Sequence, residues 1–198
     1  MANPNDSKED FFMVKNNTRN MVLTAILTAL VVVLQLMGSF IKFGPFSISL
    51  VLLPIVIGAA ECGIFSGAWL GFVFGMVVLI SGDAAPFMAV DVLGTIVTVL
   101  LKGTLCGLCA ASVYKLVAKY NRYAAVLCAA LVCPVVNTGI FLIGCIVFFM
   151  DTIKTWAGTA SVWYYMIFVL VGGNFLFELG SNAFLSPVIV RLLNIKRR

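Results

Sequence analysis

The sequence predicts an all-α integral membrane protein, a bundle of six transmembrane helices with both the N and the C terminus cytoplasmic. Three observations predict it. The chain has 198 residues, 62% of them hydrophobic and 11% charged, and its mean hydropathy is +1.11; a soluble domain of this length could not cover so much apolar surface. Most of its apolar runs reach the roughly 18 to 20 residues that cross a bilayer. Its lysines and arginines gather at the ends of those runs, as topology signals do.

Residues 1–19 are polar and mixed in charge. They read as a cytoplasmic tail rather than a signal peptide, because no small-residue cleavage site follows the first apolar run. The first span covers 20–41 and ends at Lys42-Phe43-Gly44-Pro45, a turn sequence. The second covers 47–60, is short and contains Pro54. The third covers 63–80 and folds back on the second at Glu61. It carries Gly63, Gly67, Gly71 and Gly75, which at 3.6 residues per turn lie nearly above one another and leave a groove without side chains. In lipid such a small-xxx-small groove lets a neighbouring backbone approach closely, so these glycines read as helix-packing residues.

A polar turn at 81–86 leads to the fourth span, 88–117. The fifth, 123–150, contains Pro134, which is expected to bend it. Residues 151–161 form the longest loop between spans. The sixth span is 162–193, with Pro187 near its end, and 194–198 is a basic tail. Of the 13 lysines and arginines, Lys102 lies within a span, Lys42 and Lys154 fall on one side, and all the others fall on the side of the termini. That side is cytoplasmic by the positive-inside rule.

The same features exclude several functions. The net charge of +5 is distributed as topology signals, not as a nucleic-acid surface. Cys62, Cys106, Cys109, Cys128, Cys133 and Cys145 all lie in or beside apolar helices and read as small hydrophobes. Cys106 and Cys109 form one C-x-x-C, but there is no second pair and no histidine to complete a zinc site. Without histidine, a paired-carboxylate motif or a nucleophile motif, an enzyme is disfavoured, and no catalytic residue, cofactor or metal site is assigned.

Ala25-Ile26-Leu27-Thr28-Ala29, the stretch SISLVLLPIVIGAA with the glycine-spaced helix after it, and LGTIVTVLLKGTLCGL in the fourth span together resemble the substrate-binding (S) components of energy-coupling-factor (ECF) transporters. The resemblance covers roughly residues 20–198. It implies a subunit that captures a vitamin or related nutrient near the outer face, with the loops after the first, third and fifth helices helping to close the pocket. It implies no ATPase in the chain, docking on a transmembrane coupling protein that carries two cytoplasmic ATPases, and residence in a bacterial cytoplasmic membrane. The family docks through an alanine-x-x-x-alanine pair in the first helix, matched by Ala25 and Ala29, and transport is thought to involve tipping of the whole S component. The alternative is a stand-alone secondary transporter or channel, against which the chain shows no evident inverted repeat.

Read from the residues, Asn174, Glu178 and Asn182 form an i, i+4, i+8 polar stripe on the sixth span, which should face the bundle interior or a wet cavity. Asn174, nearest the outside, is the best candidate there for touching substrate. Asp91 and Lys102 share a face of the fourth span, about 16 Å apart along the axis. Lys102 and Glu178 are expected to pair across the bundle, since neither ion can sit alone in lipid; the pair either fixes two helices or serves the substrate. Asn137, one turn outward of Pro134, could meet the carbonyl freed by the proline or hydrogen-bond a ligand. At the outer face, Asp83 and Asp91 bracket a loop and could receive ligand donors or stay solvated. Trp163 and Tyr164 could anchor at the interface or stack on a flat heterocycle.

Overall fold

In the computed structural model, residues 4–40, 42–43, 46–47 and 50–195 are described. The predicted turn at Gly44-Pro45 and the basic residues Lys196, Arg197 and Arg198 lie outside them. The fold is a helical bundle with one two-residue antiparallel pair, β1 (Lys42–Phe43) against β2 (Phe46–Ser47). The helices are α1 (Pro4–Phe40), α2 (Leu52–Cys62), α3 (Ile64–Ile80), α4 (Ala85–Met88), α5 (Val92–Val117), α6 (Arg122–Phe148), α7 (Met150–Ala157), α8 (Val162–Tyr164) and α9 (Gly173–Ile195), with a π-helical segment at Tyr165–Gly172 joining the last two.

Among the described residues, four stretches are long and apolar enough to cross a membrane: Asn17–Ser39, Val92–Val117, Arg122–Phe148 and Val162–Arg191. The remaining two expected spans are shorter. At 1.5 Å per residue, the 17 residues of α3 reach about 26 Å and the 11 of α2 only about 16 Å, against a hydrocarbon core of about 30 Å. The second helix starts five residues later than expected, at Leu52. Pro54 therefore lies in its first turn, where a missing N–H removes no helical hydrogen bond.

Two further expectations change. Residues 4–19, expected as a tail, continue α1 as helix, and Pro4 opens it at a position that proline tolerates. Residues 151–157, within the expected long loop, join Met150 to form the amphipathic helix α7. Its Ile153 and Ala157 are buried, and it ends at Gly158, whose φ of 57° suits glycine. Asp151 and Lys154 pair at 2.9 Å on its exposed face.

The fold-back at Glu61 is made by Gly63, which has φ 89° and separates α2 from α3. A Cβ on Gly63 would meet nothing within 4 Å. This glycine is therefore a turn residue and not the first member of the packing groove; L-residues rarely adopt its backbone conformation. Glu61 beside it binds Arg122 at the start of α6, 3.1 Å away. Asn121 caps α6 by accepting from the backbone N–H of Tyr123 at 2.8 Å and of Ala124 at 3.3 Å.

Gly67, Gly71 and Gly75 face α5. A Cβ on Gly67 would come within 2.7 Å of the Gly107 carbonyl oxygen, and one on Gly75 within 2.9 Å of that of Val99; one on Gly71 would overlap the Gly103 carbonyl. The contact is reciprocal, since Cβ atoms on Gly103 and Gly107 would overlap the carbonyls of Gly71 and Gly67. Backbone thus lies on backbone along the α3–α5 seam. The side of α5 away from it packs along α6, and α9 packs on α6. Two apolar clusters follow. The larger joins Val31, Ile55, Leu70, Cys106 and Val126 with their neighbours, and the smaller joins Phe87, Phe149, Ile153, Met166 and Leu170 under α4 and α7. All six cysteines are free thiols.

Gly71→Ala is expected to destabilise the fold by about 1–3 kcal/mol, the usual cost of overpacking. Gly139→Ala, where a Cβ meets nothing within 4 Å, is expected to leave stability unchanged. Thermal unfolding of the two variants in detergent checks the difference.

Candidate functional site

Between α1, α3, α5, α6 and the last helix lies a cavity of about 90 Å³, room for several water molecules or part of a small ligand. Its walls come from elements far apart in sequence. Gln35 enters from α1, Phe74 and Val78 from α3, and Asp83 and Ala84 from the turn after it. Phe87 comes from α4, Val99 and Lys102 from α5, and Asn137, Thr138 and Phe141 from α6. Leu170 and Val171 come from the π segment, and Asn174, Phe175 and Glu178 from α9. Ligand sites of this kind combine apolar walls with a few convergent polar groups.

The polar groups form two assemblies. In the first, Glu178 is 2% exposed and its carboxylate accepts from the side-chain amides of Asn174, at 3.1 Å to Oε1, and Asn137, at 3.5 Å to Oε2. Asn137 therefore donates across the bundle rather than to the helical carbonyl that Pro134 frees. Both amides keep a buried carbonyl oxygen, Asn137 Oδ1 and Asn174 Oδ1, that meets no donor. Native interiors rarely leave such acceptors unpaired. In the second assembly, Asp83 Oδ2 accepts from Gln35 Nε2 at 2.7 Å and from Ser39 Oγ at 2.8 Å.

Lys102 stands apart from both. Its Nζ lies 5.3 Å from the ring centroid of Phe141 and 5.8 Å from that of Phe74, within cation–π range. The expected Lys102–Glu178 ion pair is not formed: among the described residues the ion pairs are Arg122–Glu61 and Lys154–Asp151. The physical reason is local. Asparagine amides within its own assembly serve Glu178, while two ring faces hold the ammonium on the other side of the shared cavity.

Of the residues singled out in the sequence, Asn137, Asn174, Glu178, Asp83 and Lys102 are brought to this cavity. Asp91 is not. It caps α5, accepting from the Gly94 N–H at 3.1 Å, because the helix begins at Val92 rather than at Met88. Trp163 and Tyr164 also lie elsewhere, 58% and 57% exposed, with Tyr164 stacked on Phe168 at 5.0 Å. The aromatic wall is instead phenylalanine. Phe87 meets Phe141 and Trp156 edge-on, each at 5.5 Å between centroids. Gln35 was missed by sequence reasoning, although a lone amide in the run VVVLQLMGS is a legible signal; Thr138 and the phenylalanines carry none.

Ala25 and Ala29 lie on an exposed face of α1 beside Ile26, which is 60% exposed. The adjacent side of this helix is tied to α3 through Thr24 Oγ1, which donates to Ser66 Oγ at 3.0 Å, and through the Trp69 indole, which donates to Thr28 Oγ1 at 3.3 Å.

A comparison with models of known protein families matches residues 19–190 to the substrate-specific component of ECF transporters. No curated protein matches the chain.

The capping role of Asp91 generates a prediction. Asp91→Ala should destabilise the protein by about 0.5–2 kcal/mol, and Asp91→Asn should restore most of that loss. Chemical or thermal unfolding of both variants in one detergent checks it.

Proposed function

The chain belongs to the family of substrate-specific components of ECF transporters, and on that premise we propose that it captures a small water-soluble vitamin or related micronutrient in the cavity described above. One observation carries the reading. Inside an apolar bundle, the Asn137–Asn174–Glu178 cluster and Lys102 converge on one cavity; among the described residues two amide oxygens there meet no donor and the ammonium has no ion-pair partner. Polar groups at membrane depth are costly, and a cluster that served only to tie helices together would satisfy itself.

In this reading Asn137, Asn174, Glu178, Asp83 and Lys102 bind the substrate, and Phe74, Phe87, Phe141 and Phe175 form its apolar walls. Asp91, Trp163 and Tyr164 do not take part. The protein spans the bacterial cytoplasmic membrane with both termini inside, α2 and α3 together forming a hairpin within the bilayer. The side of the cavity closed by α4 and α7 is then the outer one. Uptake is driven by a transmembrane coupling protein with two ATPases, which docks on the α1 face that exposes Ala25 and Ala29. Both residues are small, so a partner helix can approach the backbone closely there.

The reading is tested by native mass spectrometry of the detergent-purified chain together with uptake into vesicles. A stoichiometric small molecule on the isolated chain, with uptake only when coupling protein, ATPases and ATP are present, is the expected result. Solute or ion flux through the chain alone would instead establish a secondary transporter or channel. Ala29→Trp is expected to abolish association with the coupling protein while changing affinity for the copurified small molecule by less than about 3-fold; pull-down and calorimetry on the same preparation check both halves.

A further inference from the structure

We propose that the molecule taken by this cavity carries a single carboxylate, bound by Lys102, and at its other end N–H or O–H donors, bound by Asn137, Asn174 and Glu178. The inference rests on the capture reading above and narrows it to a class of substrate.

The lysine end argues for an anion. The Lys102 ammonium has three N–H donors. Among the described residues it meets two phenylalanine rings and no acceptor, neither in an ion pair nor in a hydrogen bond. Lys102 is half-buried, and ring faces offset only part of the cost of drawing an ammonium out of water. Neither acid on the cavity wall fills the gap, since Asp83 is engaged by Gln35 and Ser39 and Glu178 by two amides. A ligand anion placed against Lys102 supplies the missing acceptor.

The asparagine end argues for donors. The unpartnered atoms there are the carbonyl oxygens of Asn137, itself 5% exposed, and of Asn174. A carbonyl only accepts, and each Glu178 oxygen has a further lone pair. A ligand presenting carbonyls to this end would leave all of these unsatisfied.

Charge balance selects the kind of anion. Among the described residues, one lysine and two carboxylates line the cavity, and no arginine does. Phosphate recognition draws on arginine forks or nests of backbone N–H groups, and a dianion here would face two carboxylates with one cation in support. The wall already carries one cation against two acids, so the ligand anion is held to a single charge and to the Lys102 end; Asp83 and Glu178 already accept from donors of their own. A cation at the Lys102 end would be repelled by the ammonium, and a neutral group there would leave it without an ionic partner.

Calorimetry on the full chain, stripped of bound small molecules in detergent, tests this with matched probes. The pairs are pantothenate and panthenol, and biotin and biotinamide, with thiamine as the cationic probe and riboflavin as the neutral one. The tightest binder should be a carboxylate, held about 100-fold more tightly than its uncharged counterpart. Lys102→Met should remove most of that difference, whereas Asn174→Ala should weaken both members of the pair alike; thermal unfolding confirms that each variant is folded. Any molecule that copurifies should gain one methyl ester per molecule in acidic methanol. Tightest binding of thiamine, riboflavin or an uncharged counterpart, equal loss for both pair members in Lys102→Met, or a copurified molecule without a carboxylate would overturn the inference and leave capture standing. Absence of both a copurified molecule and any probe binding would overturn capture, and the inference with it.

Discussion

Backbone-to-backbone contact between α3 and α5 is the constraint on which the rest of this structure depends. Water provides no driving force between helices in lipid, so association relies on close van der Waals contact. Gly67, Gly71 and Gly75 on one side and Gly103 and Gly107 on the other bring the two helices together until a single methyl group would collide with a carbonyl. The site follows from that seam. Lys102 immediately precedes Gly103 and Phe74 immediately precedes Gly75, so the contact that clamps the helices also delivers an ammonium and a ring face to the same cavity wall, 5.8 Å apart.

The opposite wall is organised by hydrogen bonding. Glu178 would be untenable alone inside an apolar bundle. Two asparagines make it tolerable, one a turn away on the same helix and one across on α6. Because each amide spends its N–H on the carboxylate, each presents its oxygen unpaired. The same bonds that stabilise the acid therefore give this end of the cavity its acceptor character. The Arg122–Glu61 pair, by contrast, ties the α2–α3 turn to the start of α6 and takes no part in the cavity.

Much of this was legible in the residues. The glycine spacing identified a packing helix, the i, i+4 stripe identified the cavity face of the last helix, and the quoted motifs agreed with the family to which the chain belongs. The misses have physical causes. Gly63 shares the four-residue spacing of the groove, and spacing alone does not separate a glycine needed for φ 89° from one needed for close approach. Asp91 was grouped with the site because a helix start is uncertain by a few residues from sequence; with the start at Val92 and not Met88, it caps the helix. Lys102 and Glu178 were paired on grounds of charge and depth alone, which do not reveal that both charges find other company. The π segment Tyr165–Gly172 has no sequence signature; it surfaces only where a Cβ on Gly172 would approach the Ile167 carbonyl, five residues back, at 2.9 Å.

That segment gives the cavity a mechanical asymmetry. On the α3–α5 side Gly67, Gly71, Gly75, Gly103 and Gly107 are each locked against a carbonyl, a boundary without give. On the α6–α9 side Gly139, Gly173 and Gly180 have open space where a side chain would be, and Leu170 and Val171 are carried on widened helical turns next to Asn174. A guest too large for 90 Å³ thus has one direction in which to make room for itself, toward the last helix.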